Sequence, residues 1–236
     1  MKLSIVIPAY NEERTIELIL NKVLAVTLID GMQKELIIVN DCSTDNTEGV
    51  IKAYISAHPN SDIQYYIQPK NMGKGAALHR GIKEAKGDYI IIQDADLEYD
   101  PKEYMKLLKP LLEGNADVVY GSRFLSSGER RALYFWHRVG NQFLTLLSNM
   151  FTNIDLTDME TCYKMMKTPI AKNLKIVEQR FGLEPEITAR LSKLDIRIYE
   201  VPISYYGRTY DEGKKITWKD GFSAIRCIVK YNIKKN

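Results

Sequence analysis

Short apolar, β-branched runs alternate along the first half of the chain with stretches whose apolar residues recur at helical spacing. Residues 3–7, 35–39, 63–67, 88–92 and 116–120 read as strands. Residues 12–25, 44–57, 75–86 and 101–112 read as the helices between them. Ile37-Ile38-Val39 and Ile90-Ile91-Ile92 are continuously apolar, as strands covered on both faces must be. The alternation predicts an α/β fold with a mostly parallel sheet and helices on both faces. Local signals agree: Ser43, Thr44 and Asp45 offer cap oxygens to the second helix, Asp100-Pro101 opens the fourth, and Gly114-Asn115 closes it.

The rhythm breaks after Tyr120. Residues 133–151 predict one long, aromatic-rich helix. Shorter helices are expected over 169–175 and 184–193, with a strand over 196–201. Residues 218–233 predict an amphipathic C-terminal helix carrying Trp218, Phe222, Ile225, Ile228 and Val229 on one face. Lys219, Arg226, Lys230, Lys234 and Lys235 lie around or beyond it. There is no repeat, low-complexity tract or linker, so the whole of 1–236 is expected to form one domain whose second half elaborates the first.

Composition narrows the class. A chain of 236 residues with 45% hydrophobic and 27% charged residues suits a folded α/β domain. The formal net charge of +3 gives no general reason to expect nucleic acid binding. Cys42, Cys162 and Cys227 are scattered and form no CxxC pair, which argues against a zinc ribbon or a disulfide framework. No segment reaches the roughly 18–20 uninterrupted apolar residues of a membrane span. The N-terminal apolar run is too short for a signal peptide and is followed by Asn11-Glu12-Glu13-Arg14, so it is read as the first strand.

Ligands of open parallel sheets bind beyond the carboxyl ends of the strands. All five predicted strands lead there into polar or glycine residues: Pro8-Ala9-Tyr10-Asn11-Glu12, Asn40-Asp41, Asn71-Met72-Gly73-Lys74-Gly75, Asp94-Ala95-Asp96 and Gly121-Ser122-Arg123. The glycine segment lacks the third glycine of a dinucleotide fingerprint and the Lys-Ser/Thr end of a P-loop. It could serve close helix–sheet approach, or backbone and Lys74 contacts with a nucleotide sugar. Asp94 and Asp96 repel one another unless a cation or hydrogen-bond donors satisfy them, and hard oxygens suit Mg²⁺ or Mn²⁺. A turn followed by a cap is the structural alternative.

In order, residues 4–12, 39–47, 71–77 and 94–96 resemble the inverting family 2 glycosyltransferases, whose fold is the Rossmann-like GT-A fold with, here, a C-terminal helical extension. Gly121-Ser122-Arg123-Phe124 and residues 201–208 resemble the dolichol-phosphate mannose synthase branch and its polyprenyl-phosphate glucosyltransferase relatives.

The resemblance implies roles. Pro8, Tyr10, Glu12 and Asp41, with Lys74, Asp94 and Ala95, would bind the nucleotide sugar. The family often has Asp where Asn40 stands, and Gln where Glu98 stands. Asp94, Asp96 and Glu98 would surround Mg²⁺ or Mn²⁺. Arg123 and Arg208 would bind the acceptor phosphate, with Arg138 or His137 adding to that site, and Lys214 and Lys215 would help hold the diphosphate or the acceptor phosphate when the loop closes. Tyr205, Tyr206 and Tyr210 would pack a loop bracketed by Gly207 and Gly213. Asp158 or Glu160 would touch sugar hydroxyls or act as base toward a neutral hydroxyl; a helix cap is the alternative. His58 and His79 have no second ligand and read as structural.

The implied activity is inverting transfer of a hexose (from GDP-mannose or UDP-glucose) to dolichyl or undecaprenyl phosphate. Residues 1–125 would serve the donor and 126–236 the acceptor. Transfer to a saccharide hydroxyl is the alternative. A non-catalytic binding protein is disfavoured by the intact Asp94/Asp96 pair, and a nucleotidyltransferase by the missing glycine-rich N-terminal signature. Peripheral contact with the inner face of a membrane from the cytoplasm is expected through the 133–151 segment and the basic C-terminal helix, which could equally form packing or dimer surface.

Overall fold

The computed structural model describes residues 1–125, 131–132, 134–180, 182–208 and 218–233. Expectations placed on Leu133, Tyr210, Gly213, Lys214, Lys215, Lys234 and Lys235 lie outside the described residues.

Seven strands form one sheet: β1 (Lys2–Ala9), β2 (Gln33–Asn40), β3 (Ile63–Ile67), β4 (Tyr89–Ile92), β5 (Val118–Ser122), β6 (Lys164–Lys167) and β7 (Ile198–Pro202). Among the described residues eight α-helices accompany them: α1 (Ile16–Ala25), α2 (Thr47–Ala57), α3 (Lys74–Glu84), α4 (Tyr104–Leu112), α5 (Phe135–Thr152), α6 (Thr168–Asn173), α7 (Leu183–Leu191) and α8 (Trp218–Ile233). The sheet order is β3-β2-β1-β4-β6-β5-β7. All pairings are parallel except those of β6, which runs antiparallel to both β4 and β5. At the centre Ile5 lies between Leu36 and Ile91, and all three are buried.

The sequence pattern does not announce β6. Its four residues hold only two apolar side chains, Met165 and Met166, between lysines. Lys164 is nonetheless buried: its ammonium donates to the carbonyls of Met159 and Thr161 and lies 4.9 Å from the Tyr120 ring centroid. A strand from the second half thus sits inside the sheet built by the first, and every strand shares one core.

Two helices begin later than expected because their leading residues are used elsewhere. Before α1, Asn11 has φ +55° and binds across to the second loop. Before α2, Asp45 accepts from the Thr47 amide at 3.0 Å, while Ser43 and Thr44 bind Asn11. Asp100 caps its helical turn as expected, accepting from the Lys102 amide at 3.0 Å.

The polarity of α5 is the reverse of a core helix. Its fully buried positions are Thr145 and Ser148, while Trp136 is 77% and Met150 74% exposed. Thr145 Oγ1 accepts from the Met159 amide, and Asn149 bridges to the backbone of Leu156, so polar groups fasten the inner face. On α8 the buried face is Ala224, Cys227 and Ile228; Phe222, expected on that face, points outward.

Candidate active site

The loops after β1 and β2 are latched together at the carboxyl edge of the sheet. Ser43 Oγ accepts from the Asn11 amide at 3.0 Å, Asn11 Oδ1 accepts from the Thr44 amide at 2.8 Å, and Thr47 Oγ1 accepts from the Glu12 amide at 2.8 Å. Asn11 and Cys42 take left-handed backbone (φ +55° and +58°), a conformation that costs about 1–3 kcal/mol per residue and is held here by those bonds. Pro8, one residue before the end of β1, is half-buried, and Tyr10 just beyond the strand is exposed. Asn40 explains its own departure from the family pattern: its Oδ1 accepts from the Ser43 amide and hydroxyl while its Nδ2 donates to Tyr65 Oη, an amide's combination that a carboxylate cannot supply.

Asp41 is buried, and both its oxygens accept backbone amides of the glycine loop, from Met72 at 2.8 Å and Gly73 at 2.7 Å. It therefore anchors the loop that starts α3. Gly73 has φ +90°, and the Gly75 amide donates to Gln179 O at 2.9 Å. A Cβ on Gly75 would overlap the carbonyl oxygen of Glu178. The glycines thus permit close approach of the 176–179 segment, and Lys74 between them points inward.

Lys74 Nζ lies 2.7 Å from Asp94 Oδ1 and 3.5 Å from Glu184 Oε1. Burial opposes the charge of Asp94, and Lys74 outweighs it, holding the carboxyl below its ordinary range. Arg208 binds the other two carboxylates: Nη2 reaches Asp96 Oδ2 at 2.6 Å and Nε reaches Glu98 Oε1 at 3.2 Å. Asp96 is nevertheless pushed up to about 7 by burial and by the charges of Asp94 and Glu98.

Three hard-oxygen donors within five residues suit a Mg²⁺- or Mn²⁺-sized cation in chemistry. They are not gathered around a common point, however: no three acidic, His or Cys side chains among the described residues are so arranged. As they stand, each carboxylate faces a protein cation.

Tyr205 joins this cluster to the guanidinium side. Its hydroxyl donates to Glu98 Oε2 at 2.9 Å, and its ring centroid lies 5.1 Å from Arg123 Cζ. Arg123 and Arg138 both lie over the Phe124 ring, at 5.7 and 6.0 Å. Arg123, Arg138 and Arg208 are thus gathered around Phe124 and Tyr205.

Asp158 is fully buried and grips Arg123: Oδ2 accepts from the backbone amide at 3.0 Å and from Nε at 2.7 Å, and Oδ1 accepts from Nη2 at 2.7 Å. Both oxygens accept from Arg123, so in this geometry Asp158 anchors that residue. Glu160 differs. Its Oε1 is buried without a hydrogen-bond partner, and burial, then the charge of Glu184, push its carboxyl up to about 8.

The chain matches the pattern of "Glycosyl transferase family 2" over residues 4–174, more than half its length. The chain belongs to glycosyl transferase family 2. Among curated proteins, this family 2 chain is 31% identical over 219 residues to a dolichyl-phosphate beta-glucosyltransferase of Trichomonas vaginalis, covering 86% of the chain and 65% of that protein. It is 26% identical over 230 residues to a dolichol-phosphate mannosyltransferase of Pyrococcus furiosus, covering 97% and 63%. The chain spans a little under two-thirds of the length of these relatives.

Among solved structures, the glucosyl-3-phosphoglycerate synthase of Mycobacterium tuberculosis with Mn²⁺, uridine diphosphate and phosphoglyceric acid superposes with a TM-score of 0.71 at 21% identity, covering all of this chain and 80% of that one. TarS of S. aureus superposes with a TM-score of 0.62 at 20% identity, covering 98% and 65%. These likenesses establish the GT-A fold of the family 2 chain.

Three residues that sequence reasoning missed complete its site. Glu184, in the first turn of α7, is the second carboxylate on Lys74. Glu186 accepts from the amides of Val177 and Glu178 and so holds the segment against the glycine loop. Glu200, on β7, accepts from the amides of Thr157 (2.8 Å) and Asp158 (3.2 Å), fixing the turn that presents Asp158. Apart from the ion pair of Glu186 with Arg190 four residues on, the partners named here lie 8 to 110 residues away in the chain and leave no local signal.

Proposed function

We propose that the chain is an inverting glycosyltransferase that moves a hexose, mannose or glucose, from a nucleotide sugar (GDP-mannose or UDP-glucose) to polyprenyl phosphate. The observation that carries this reading is the commitment of Asp158 to Arg123 beside two further guanidiniums. The acceptor side offers positive charge and spends its nearest carboxylate on holding that charge. Such a site suits an acceptor that arrives ionised. A phosphate monoester needs positioning and charge complementarity rather than a strong base. The dolichyl-phosphate transferases among its relatives fit the same substrate class.

The donor would lie over the carboxyl ends of β1, β2 and β4, against Pro8, Tyr10, Glu12 and Ala95, on the loop that Asp41 anchors, with Lys74 toward its diphosphate. Asp94, Asp96 and Glu98 would hold Mg²⁺ or Mn²⁺, which when bound neutralises the departing diphosphate. Arg123, Arg138 and Arg208 would orient the lipid phosphate for attack opposite the leaving group. Residues 1–125 would chiefly serve the donor, with Arg123 near their end turned to the acceptor, and 126–236 the acceptor, within one domain. A single displacement inverts the anomeric centre.

The outward apolar stripe of α5, with Phe135, Trp136, Phe143, Leu146 and Met150, is suited to lie in a bilayer interface. No helix among the described residues is long and apolar enough to cross a membrane. Peripheral contact at the inner face, from the cytoplasm, would bring the guanidinium cluster to a headgroup.

One observation favours a second reading, transfer to a saccharide hydroxyl: Glu160 Oε1 is buried without a hydrogen-bond partner, and the raised proton affinity of this carboxyl suits a general base. Glu160→Gln separates the two. With a hydroxyl acceptor, turnover should fall about 10²–10⁴-fold; with a phosphate acceptor it should fall far less.

A further inference from the structure

The acidic strand end already holds two protein cations. Lys74 is on Asp94, and Arg208 bridges Asp96 and Glu98 through two different nitrogens. Fully ionised, the three carboxylates carry three negative charges, and the two side chains return two positive ones. A single divalent cation carries the same charge as the pair.

Other features of the chain hold their partners differently. Arg123 is fixed to the fully buried Asp158 by three bonds, two of them from its own side chain. Arg208 is only half-buried, and so is Lys74; neither is enclosed. Each also has somewhere to go. Glu184 lies 3.5 Å from Lys74 Nζ and remains as its counter-charge when Asp94 is taken. The Arg208 backbone stays tied through its amide to Glu98 Oε1 at 2.9 Å, so the side chain can swing while its root is held, beside Tyr205 and the Arg123 guanidinium.

We propose that Lys74 and Arg208 are resident counter-cations of Asp94, Asp96 and Glu98, and that a divalent cation replaces both, freeing them for the phosphates of donor and acceptor. This inference rests on the metal-dependent reading above. It makes the phosphate sites a consequence of cation binding. With no cation in place, the lysine and arginine are spent on carboxylates and the site is closed to a lipid phosphate. Replacing two monovalent groups by one divalent ion leaves the local charge unchanged, so the exchange avoids the cost of an unpaired carboxylate in a half-buried site.

The test is Mn²⁺ binding to the purified protein without donor, read from the free-ion signal in electron paramagnetic resonance. Arg208→Gln and Lys74→Gln should each bind Mn²⁺ about three- to tenfold more tightly than wild type, the scale of one half-buried ion pair. Arg138→Gln removes the same charge outside the acidic cluster and should change the affinity less than twofold. Unchanged or weaker Mn²⁺ binding in both cluster variants overturns the exchange, as does an equal gain in Arg138→Gln.

A second measurement needs no variant. Modification of Arg208 by phenylglyoxal, followed by peptide mass spectrometry, should speed up severalfold when Mn²⁺ is added to wild type; an unchanged or slower rate overturns the exchange. Failure of the underlying reading looks different. A wild-type protein that binds no Mn²⁺, even with UDP or GDP present, overturns the metal-dependent reading and the exchange together. Mn²⁺ binding with unaltered variants and an unaltered Arg208 rate overturns the exchange alone.

Discussion

Asp158 Oδ2 lies 2.7 Å from Arg123 Nε, and Asp158 Oδ1 lies 2.7 Å from Arg123 Nη2, so one buried carboxylate fixes one guanidinium in its plane. The pair spans 35 residues of sequence and joins the end of β5 to the turn after α5. Its geometry makes Asp158 a support for Arg123. Asp158→Ala would leave Arg123 unpaired in a buried site and should lower stability by about 3–5 kcal/mol. Chemical denaturation measures that loss. Asp158→Asn keeps the shape but loses the charge, and should raise the KM for a lipid phosphate while leaving the donor KM nearly unchanged.

Arg208 and Asp96 face each other at 2.6 Å but are assigned to different substrates. Arg208→Ala should lower kcat/KM for polyprenyl phosphate by about 10–100-fold, the worth of one or two charge-assisted hydrogen bonds. Asp96→Ala should abolish turnover at all Mg²⁺ or Mn²⁺ concentrations. Steady-state kinetics with each substrate varied in turn distinguish them. An Arg208→Ala defect confined to the donor would contradict the acceptor assignment.

Acid should loosen α8 before it loosens the sheet. Glu178 is mostly buried and accepts from Lys230 Nζ at 2.8 Å and Tyr231 Oη at 2.9 Å, with Arg226 at 3.0 Å. Burial opposes its ionisation, but the bonds from Lys230 and Tyr231 and the charge of Arg226 outweigh it and lower its carboxyl to about 2. A carboxyl whose folded value is depressed stabilises the fold above its unfolded value, near 4.5, and that contribution is lost as pH falls toward 2. Glu178→Gln should cost about 1–2 kcal/mol at pH 7 and flatten the decline of stability between pH 5 and 2. Thermal melts across that range provide the readout.

Gly75→Ala should destabilise the protein and impair donor use together, because the added methyl collides with the Glu178 carbonyl and must displace the segment packed against the glycine loop. Backbone cannot yield as a side-chain tip can. The expected loss is about 1–3 kcal/mol, measured by denaturant midpoint, with a raised donor KM.

The α5 stripe should carry membrane contact. Phe143→Glu combined with Leu146→Glu alters exposed positions and should leave stability within about 0.5 kcal/mol. Sedimentation with anionic vesicles should fall severalfold, and activity toward a water-soluble short-chain prenyl phosphate should persist. Undiminished vesicle binding would remove α5 from the interface.

Much of the carboxyl edge of the sheet was legible in the sequence because buried parallel strands must be continuously apolar and their polar ends stand out against that background. Ile90-Ile91-Ile92 followed by Asp94 and Asp96 is the clearest instance. The resemblance in motif order extended this to the fold, and the family match bears it out.

What escaped was set by tertiary contact. Lys164 reads as a surface residue but fills the core of an antiparallel strand, since carbonyls and the Tyr120 ring receive its ammonium. Glu184, Glu186 and Glu200 look like ordinary helix or strand carboxylates, and only folding reveals what they hold. The direction of α5 was also hidden: its aromatic residues suggested packing or an interface equally well, and the structure turns them outward.

The central claim is transfer of a hexose to an ionised lipid phosphate. The most direct measurement incubates the purified protein with Mg²⁺ or Mn²⁺, labelled GDP-mannose or UDP-glucose, and a short polyprenyl phosphate, then extracts the mixture with organic solvent. Labelled, organic-extractable lipid carrying a β-linked sugar is expected, formed only when both metal and lipid phosphate are present. Label found solely on sugar acceptors, with none in the organic phase for any donor, would contradict it.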